Sequence, residues 1–421
     1  MEKYDGRGKN ALISVRADEN NPKWNQMIKR DQELYNRSKV EVRSEFERDY
    51  TRILYSNAYR RLKHKTQVVF SPRNDHICTR IEHVNHVESI SHTIGKELGL
   101  NLDLIKAIAT SHDIGHSPFG HSGEKILDEI SRRDVGISFW HEKNGINLAD
   151  YFELLEDTSG NKRNLSLTYA VRDGIISHCG EINQNSIKPR DEAIDLEKEY
   201  EHVAQYEPYT WEGVVVKVSD KISYIGRDIE DALSLHVLSN KELDELKRIL
   251  NINEEGYEAL NNSNIISDLI GDLLMNTTVE DGIKFSQDGL ALMDNIKAFN
   301  YKYIYGSEKI RSSDEYFKLI INKIYNFLLS LYDDEKKIFV IGDKRRLYKD
   351  VIDDYFSWVV QYTDGELVED YIIDEEEYIH NVNKKIINPR DKKSISLSII
   401  TYISGMTDNR AIETFNKIIC F

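Results

Sequence analysis

Apolar residues recur at spacings of three and four over long stretches of this chain, and only six prolines interrupt its 421 residues. That spacing is the period of one face of an α-helix, whereas strands alternate every second residue. The clearest segment runs from about Leu102 to Ile114, with Asn101 as a capping residue before it and Gly115 as a natural end. The pattern predicts an all-α protein.

The apolar stripe of this predicted helix leads to a histidine and an aspartate. Leu102, Ile105 and Ala109 share one face, His112 continues it, and Asp113 lies about 100° further round. A buried carboxylate beside an imidazole needs a positive partner, and a divalent cation is the simplest one. The stretch that begins here, HDIGHSPFGHSGE, adds two more histidines and a glutamate. Such a density of imidazoles and carboxylates indicates a metal or catalytic site.

Further ligands must come from other helices. His83, in the sequence TRIEH, is the upstream candidate. Downstream, VVVKVSDKISYIGRDIEDAL places Asp220, Tyr224 and Asp228 at i, i+4 and i+8, which lines them along one helical face. Asp220 ends the apolar run and is expected to be buried. For Asp228, an ordinary exposed helix face is an equally good interpretation.

The charge balance limits the partners. Lys and Arg number 56 against 72 Asp and Glu, a formal net charge of −16, which argues against broad binding to nucleic acids or anionic membranes. A small polyanion in a local basic pocket is still compatible, and the segment 42–69 is strongly basic.

The three cysteines are odd in number and far apart, so neither a disulfide framework nor a zinc knuckle is expected. The N-terminal sequence has no apolar signal region, and no apolar run approaches the ~20 residues of a membrane span. We therefore expect a soluble cytoplasmic protein with no membrane partner.

The chain divides by composition into two regions. We predict a catalytic core with a helical lead-in over residues 1–245 and a helical region packed on it over 246–421, or one continuous domain, with the boundary near 251–265. The segments 155–166 and 181–200 are typical of polar loops, and the acidic stretch 364–378 of a solvated surface.

Four motifs in order resemble one family. TRIEH, SHDIGHSPFGHSGE, FWHEKNG and VSDKISYIGRDIEDAL, together with YSNAYRRLKHKTQVV and the late YISGMTDNRA (402–411), closely resemble the HD-domain deoxynucleoside triphosphate triphosphohydrolases, the dGTPase-like family. The resemblance extends from about residue 45 to near the C-terminus, with weak support between about 240 and 395. It implies the helical HD-superfamily phosphohydrolase fold with an additional helical C-terminal half.

The resemblance also implies a metal site of four ligands, His83, His112, Asp113 and Asp220. Imidazoles and carboxylates suit Mn²⁺, Mg²⁺, Fe²⁺, Co²⁺ or Ni²⁺ better than a thiolate-seeking metal. In the family, metal-activated water attacks the α-phosphorus of a deoxynucleoside triphosphate (dNTP), and inorganic triphosphate leaves the deoxynucleoside. The implied activity is that of a metal-dependent dNTP triphosphohydrolase.

The remaining residues receive roles from the same resemblance. His121 is the expected general acid or base, oriented by Glu124, while His116 and His141 are expected to contact phosphate. For His141, a hydrogen-bonded core histidine is the alternative. Gly115, Pro118 and Gly120 would turn the chain back over the site, so that His116 and His121 face the substrate.

The resemblance also implies the substrate-binding residues, from the motif positions that they match. Arg80 and Lys221 match positions that touch the phosphates, and Gln67, Tyr224 and Asp228 match positions that read the 3′-hydroxyl and crowd the 2′ position. Arg60 and its neighbour Arg61 are further phosphate candidates, or else form structural ion pairs. A homo-oligomer (hexamer or tetramer) and a nucleotide or single-stranded DNA effector are also implied.

This chain departs from the family pattern after TRIEH, where Val84-Asn85-His86 replaces the usual Ser and Glu. His178 is expected to be structural. Two other functions stay open: another HD-superfamily phosphohydrolase, acting on nucleoside monophosphates, cyclic nucleotides or alarmones, and a nucleotide-sensing or nucleic-acid-binding protein without activity. The intact His and Asp set favours an enzyme.

Overall fold

The computed structural model describes residues 4–32, 34, 41–68, 70, 77–157, 160–180, 185–250, 262–363 and 385–420. Over these residues helices dominate, and the β-structure consists of two short antiparallel hairpins with a few isolated bridges. The all-α prediction is confirmed. Within the same residues, no helix is both long and apolar enough to cross a lipid bilayer.

The helices of the first part of the chain are α1 (Trp24–Met27), α2 (Glu45–Tyr55), α3 (Asn57–Arg61), α4 (Arg80–Leu98), α5 (Leu102–Ser111), α6 (Gly120–Asp134), α7 (His141–Asn147), α8 (Tyr169–Ser177), α9 (Trp211–Ser234) and α10 (Asn240–Ile249). Short 3₁₀ turns occupy Ile13–Val15 and Leu62–His64, and a π-helical turn, Leu148–Phe152, extends α7. One hairpin pairs β1 (Leu154–Glu156) with β2 (Lys162–Asn164).

The second part contains α11 (Asn262–Asn276), α12 (Gln287–Asn300), α13 (Glu308–Arg311), α14 (Asp314–Leu329), α15 (Lys344–Leu347), α16 (Lys349–Val359), α17 (Lys392–Ser404) and α18 (Asp408–Ile419). A π-helical turn, Tyr301–Tyr305, follows α12, and a 3₁₀ turn, Val360–Tyr362, follows α16. The second hairpin pairs β3 (Tyr332–Asp333) with β4 (Ile338–Phe339).

Helix α5 lies at the centre of the fold. The Asn101 side chain accepts hydrogen bonds from the backbone of Asp103 and Leu104, as a helix cap does, which confirms the predicted start. Apart from Lys106, every residue from Leu104 to the end of the helix is buried, because α2, α4, α8 and α9 all pack against it. The helix ends three residues before the predicted Ile114, so the residues that follow it begin inside the protein.

Helix α4 runs beside α5 and presents its first turn to the end of α5. Thr79 and Glu82 form a capping box at its start, and Gly99 ends it in the left-handed conformation at φ 80°, which glycine adopts without strain. Helix α9 packs against both α4 and α5. The start of α4, the end of α5 and the middle of α9 therefore meet in the interior.

Glycine permits a close approach of the loop after α5 to helix α7. A Cβ atom on Gly115 would lie 2.0 Å from the His141 carbonyl oxygen and 2.2 Å from the Gly145 backbone nitrogen. No larger residue fits there. As a result the His116 ring stacks on the His141 ring, with centroids 3.6 Å apart.

The basic segment 42–69 serves largely to hold the fold. The ammonium group of Lys65 is buried and donates to the backbone carbonyls of His116 and Ser404, so it joins the loop after α5 to the end of α17. Arg61 forms an ion pair with Glu153 at 2.7 Å, which is the structural alternative left open for it.

A second link between the C-terminal helices and the same loop is made by Asp408. Its carboxylate accepts hydrogen bonds from the Thr66 backbone and hydroxyl and from the Phe119 backbone, at 2.9, 2.5 and 2.8 Å. Phe119 has φ 64°, a conformation that non-glycine residues rarely adopt, so this hydrogen bond stabilises an unfavourable turn. The late YISGMTDNRA motif thus positions the loop that carries His116.

One loop prediction is wrong. The segment 155–166 contains most of the β1–β2 hairpin, whose register pairs Leu155 with Arg163. The hairpin is stabilised where Arg163 pairs with Asp157 and Asn164 is buried, contacts that a polar sequence does not reveal. Residues 181–184, 251–261 and 364–378, on which parts of the loop, boundary and acidic-surface predictions fall, lie outside the described residues. The division at residue 245 stays a prediction.

Candidate active site and metal centre

Four side chains from three helices meet at the end of α5. His83 comes from the first turn of α4, His112 and Asp113 directly follow α5, and Asp220 lies in the middle of α9. His83 Nε2 lies 2.9 Å from Asp220 Oδ1 and 3.8 Å from Asp113 Oδ2. His112 Nε2 lies 3.6 Å from Asp113 Oδ1 and 3.9 Å from Asp220 Oδ1.

The orientation of His112 fits a metal ligand. Its Nδ1 lies 2.7 Å from the Ala109 carbonyl oxygen, which can only accept, so Nδ1 carries the proton. Its Nε2 is buried without a hydrogen-bond partner among the described residues and faces the two carboxylates with a free lone pair. A backbone partner that fixes the tautomer in this way is usual for metal-bound histidines. The ligand atoms of His83, His112 and Asp220 all lie within 4.8 Å of one another.

The charges in this cluster stabilise its carboxylates. Burial raises the pKa of Asp113, but His116, His112 and Arg80 outweigh it and hold the pKa well below its usual range. Burial likewise raises the pKa of Asp220, and the hydrogen bond and charge of His83 bring it down to about 2. Both carboxylates are therefore ionised near neutral pH and available to a cation.

Next to the cluster, two histidines share Glu124. His141 Nδ1 lies 3.1 Å from both carboxylate oxygens of Glu124, and the His141 backbone also donates to Glu124 at 3.0 Å. His121 Nδ1 lies 3.5 Å from the same carboxylate, and its side chain is 75% exposed. Glu124 therefore contacts His141 more closely than His121, the partner expected from the sequence.

Burial and neighbouring charges give two buried histidines, His141 and His116, opposite protonation states at neutral pH. Burial lowers the pKa of His141, but Glu142 and Glu124 outweigh it and raise the pKa to about 9, so this ring is a cation at neutral pH. Burial, with Arg80 and His141, lowers the pKa of His116 well below its usual range. His116 Nε2 lies 3.0 Å from Asp113 Oδ1, so a neutral ring donates to a metal-site carboxylate.

The cluster forms one wall of a cavity of about 620 Å³. The predicted site residues that line it are Gln67, Arg80, His83, Asp113, His116, His121, His141, Asp220, Lys221, Tyr224 and Asp228. Asp220, Tyr224 and Asp228 share one face of α9, as their spacing predicts. His112 and Glu124 do not line the cavity, but each lies close to a residue that does: His112 Nε2 is 3.9 Å from Asp220 Oδ1, and Glu124 is 3.1 Å from His141 Nδ1.

Two cationic side chains of the cavity, Arg80 and Lys221, are held by hydrogen bonds to the protein. Arg80 donates to Asp113 Oδ2 at 2.8 Å and, from its other terminal nitrogen, to the Gln67 carbonyl at 3.4 Å. The Lys221 ammonium donates to the Gly180 carbonyl, and burial, with Lys217 nearby, lowers the pKa of Lys221 to about 8.

Arg60 is the predicted site residue that the structure does not bring to the cavity. Helix α3 buries Ala58, and a residue two positions later lies on the opposite face, so the Arg60 side chain is exposed to solvent. The expectation that it contacts phosphate is not supported by this position.

The HD domain model matches residues 80–225, which contain all four candidate metal ligands. A deoxyguanosinetriphosphate triphosphohydrolase-like protein of Caldanaerobacter subterraneus subsp. tengcongensis is 33% identical over 303 residues, 72% of this chain and 77% of that protein. The chain belongs to the HD-domain, dGTP triphosphohydrolase-like family.

Two further members of this dGTPase-like family extend the match. The protein of Clostridium tetani is 32% identical over 321 residues, 74% of this chain and 81% of its own. That of Rickettsia bellii is 29% identical over 409 residues, 91% of this chain and 94% of its own. The family and the HD-type fold predicted from the motifs are confirmed, and both findings support a metal-dependent phosphohydrolase.

Two residues of this dGTPase-like chain that the sequence did not predict for the site, His178 and Cys179, reach it from the end of α8. His178, predicted to be structural, lies with its Nε2 3.9 Å from Asp113 Oδ1, and burial, with His112 and His141, lowers its pKa to about 3. Cys179 follows it, with Sγ 3.6 Å from His141 Nε2. The HCG sequence at the end of α8 was the available signal.

The second part of the chain closes the cavity. Phe317 of α14 stacks on Phe119, with ring centroids 4.4 Å apart, and the Tyr305 hydroxyl donates to Asp228. No sequence spacing predicts these contacts, because Phe317 lies about two hundred residues after Phe119, and Tyr305 lies 77 residues after Asp228.

Proposed function

We propose that this protein hydrolyses deoxynucleoside triphosphates to a deoxynucleoside and inorganic triphosphate, by attack of water at the α-phosphorus with a divalent metal ion as cofactor. The observation that carries the proposal is the meeting of His83, His112, Asp113 and Asp220 at the wall of a cavity that also holds cations. The names of the related proteins support the same substrate class.

A divalent ion bound by these four residues would supply a Lewis acid that activates water and polarises the phosphorus. Two imidazoles and two carboxylates suit Mn²⁺, Mg²⁺, Fe²⁺, Co²⁺ or Ni²⁺. The protein's own part is to hold the carboxylates ionised through Arg80 and His116, and to present charge to the phosphates through Arg80, Lys221 and protonated His141.

Proton transfer to the leaving 5′-oxygen is assigned to His121 with Glu124. His121 lines the cavity, and most of its side chain is exposed to solvent. Glu124 stabilises positive charge on either ring beside it, and its own pKa stays well below the usual range: burial raises it, but His141 and His121 outweigh burial. His141, with its raised pKa, is assigned to the phosphates.

The sugar is assigned to the wall formed by Gln67, Tyr224 and Asp228. Gln67 is buried, and its Oε1 has no hydrogen-bond partner within the described part of the chain, so it can accept from a ligand hydroxyl. Tyr224 lies one helical turn from both Asp220 and Asp228. A 2′-hydroxyl placed against its ring lacks a partner, which costs about 1–3 kcal/mol.

The test is a panel of the four dNTPs, alone and in pairs, with Mn²⁺ or Mg²⁺ and identification of the phosphorus product. Inorganic triphosphate and a preference for deoxyribose support the proposal. Orthophosphate or pyrophosphate would instead indicate another HD-type phosphohydrolase, and no turnover with any dNTP would favour a nucleotide-sensing protein.

We further propose that the protein forms a homo-oligomer, a tetramer or a hexamer, is cytoplasmic, and responds to a nucleotide or single-stranded DNA as effector. Light scattering of the purified protein tests the assembly. Rates with paired dNTPs, and with added single-stranded DNA, test the effector.

A further inference from the structure

We propose that the cavity contains a second metal site, formed by His141, His178 and Cys179, which takes a thiophilic divalent ion such as Zn²⁺ or Cd²⁺ and thereby inhibits the enzyme. One ligand atom from each of these three residues lies within 4.8 Å of the others. None of the three belongs to the set His83, His112, Asp113 and Asp220 assigned to the catalytic metal.

Both imidazoles direct Nε2 to this site. His141 Nδ1 donates to the Glu124 carboxylate at 3.1 Å, and His178 Nδ1 donates to the Ile175 carbonyl at 2.7 Å. Nε2 of the neutral His178 ring therefore carries a lone pair, and Nε2 of His141 exposes its lone pair once that ring releases a proton to the solvent as the ion binds. Partners of this kind, a carboxylate and a backbone carbonyl, orient histidines that bind metals.

The distance between the sulfur and the first imidazole fits a tetrahedral ion. Zn–N bonds of about 2.0–2.1 Å and Zn–S bonds of about 2.3 Å place nitrogen and sulfur about 3.5 Å apart around such an ion. Cys179 Sγ lies 3.6 Å from His141 Nε2. In the metal-free protein the protonated His141 ring donates across this gap to the sulfur; on binding, His141 and the thiol each lose a proton to solvent, and metal–nitrogen and metal–sulfur bonds replace the hydrogen bond.

The surroundings favour a cation. Asp113 Oδ1 lies 3.9 Å from His178 Nε2 and 4.0 Å from His141 Nε2, so a carboxylate stands beside the site. Glu142 is 1% exposed, and its Oε2 lies 3.3 Å from His141 Nδ1, so a second carboxylate stands beside that ring. Cys179 itself is only partly buried and lines the cavity, which gives an ion a path from solvent.

The donor atoms of the two sites favour different metal ions. A thiolate selects softer ions, whereas the catalytic set has only nitrogen and oxygen donors. An ion held by His141 also withdraws that ring from the phosphates, so hydrolysis stops. This inhibition rests on the proposed function, but binding at the site does not.

The experiment adds cadmium to the Mn²⁺-loaded protein and follows two signals: the ultraviolet sulfur-to-cadmium charge-transfer band and the release of triphosphate. The wild type is expected to gain the band at one cadmium per chain and to lose activity in parallel. Cys179→Ser is expected to lack the band and to need at least roughly 10-fold more cadmium for the same fractional inhibition, because the loss of even an outer-shell partner costs roughly 10–100-fold in metal affinity. Cys179→Ala serves as a second variant if the serine protein does not fold.

Cys420→Ser is the matched control, because Cys420 is exposed near the C-terminus, and it is expected to behave as the wild type. The proposal is overturned if the band persists in both Cys179 variants, or if cadmium inhibits them as strongly as the wild type, since either result places the ion elsewhere. If the protein hydrolyses no dNTP, the band still tests the site, so failure of the proposed function is distinguishable.

Discussion

Replacing Asp228 should stabilise the metal-free protein while impairing its function. The Asp228 side chain is 2% exposed, and burial raises its pKa from 3.8 to about 6, against the opposing effect of the Tyr305 hydroxyl. A raised pKa means that the folded protein favours the protonated form. Between about pH 4 and 6 the folded chain therefore binds more protons than the unfolded chain, and the free energy of unfolding falls as the pH rises through this window. Above it, the ionised carboxylate costs about 3 kcal/mol, at about 1.4 kcal/mol per pKa unit.

Asp228→Asn removes this cost and keeps an oxygen that can accept from Tyr305. We expect the free energy of unfolding at pH 7 to rise by about 2–3 kcal/mol and the difference from wild type to disappear near pH 4. This difference in the free energy of unfolding is measured by thermal and urea unfolding at several pH values, in the presence of a chelator. Asp294→Asn, on the exposed side of α12, is the control and should change stability by less than about 0.5 kcal/mol.

The reasoning about Asp228 is refuted if the Asn variant is no more stable than the wild type at pH 7, or if the difference does not depend on pH. Hydrolysis by the same variant should fall, since the ionised acceptor is proposed to hold the sugar. A stability gain with a loss of activity is typical of residues kept for function.

Four other substitutions test the site. Asp113→Asn should abolish hydrolysis and metal binding, the latter measured by elemental analysis. Asn is preferred to Ala because its amide oxygen can still accept the hydrogen bond from the buried guanidinium of Arg80. His121→Ala should keep the metal and lower kcat by roughly 10²–10⁴; a near-normal kcat would transfer the proton-transfer role to another group. Tyr224→Ala should narrow the ratio of kcat/KM between dGTP and GTP, and an unchanged ratio would exclude it from sugar selection. Asp408→Asn should lower kcat more than it raises KM while the metal content stays normal; an unchanged kcat would contradict the positioning of Phe119 and its loop.

Local rules predict part of the candidate metal cluster, and the family resemblance supplies the full set of four ligands. A helical apolar stripe that ends in His112 and Asp113 predicts an inward metal site, and a run of buried residues that ends in Asp220 predicts a buried carboxylate. Both predictions depend only on helix periodicity, and the structure brings these side chains together at the end of α5.

The contacts that could not be predicted join residues far apart in the chain. Lys65 was read as part of a phosphate-binding basic segment, yet its ammonium group holds two backbone carbonyls, one of them 339 residues away. The family resemblance assigns Glu124 to His121, whereas its closer partner in the structure, His141, is on another helix. Tertiary packing, which no local spacing reports, decides such contacts.

The central claim is that water attacks the α-phosphorus of a dNTP and releases the triphosphate intact. The most direct measurement is hydrolysis of a dNTP in water enriched in the heavy oxygen isotope, with mass spectrometry of both products. The account predicts one heavy oxygen in the inorganic triphosphate and none in the deoxynucleoside. Label in the deoxynucleoside, or in orthophosphate or pyrophosphate released in place of triphosphate, would contradict it.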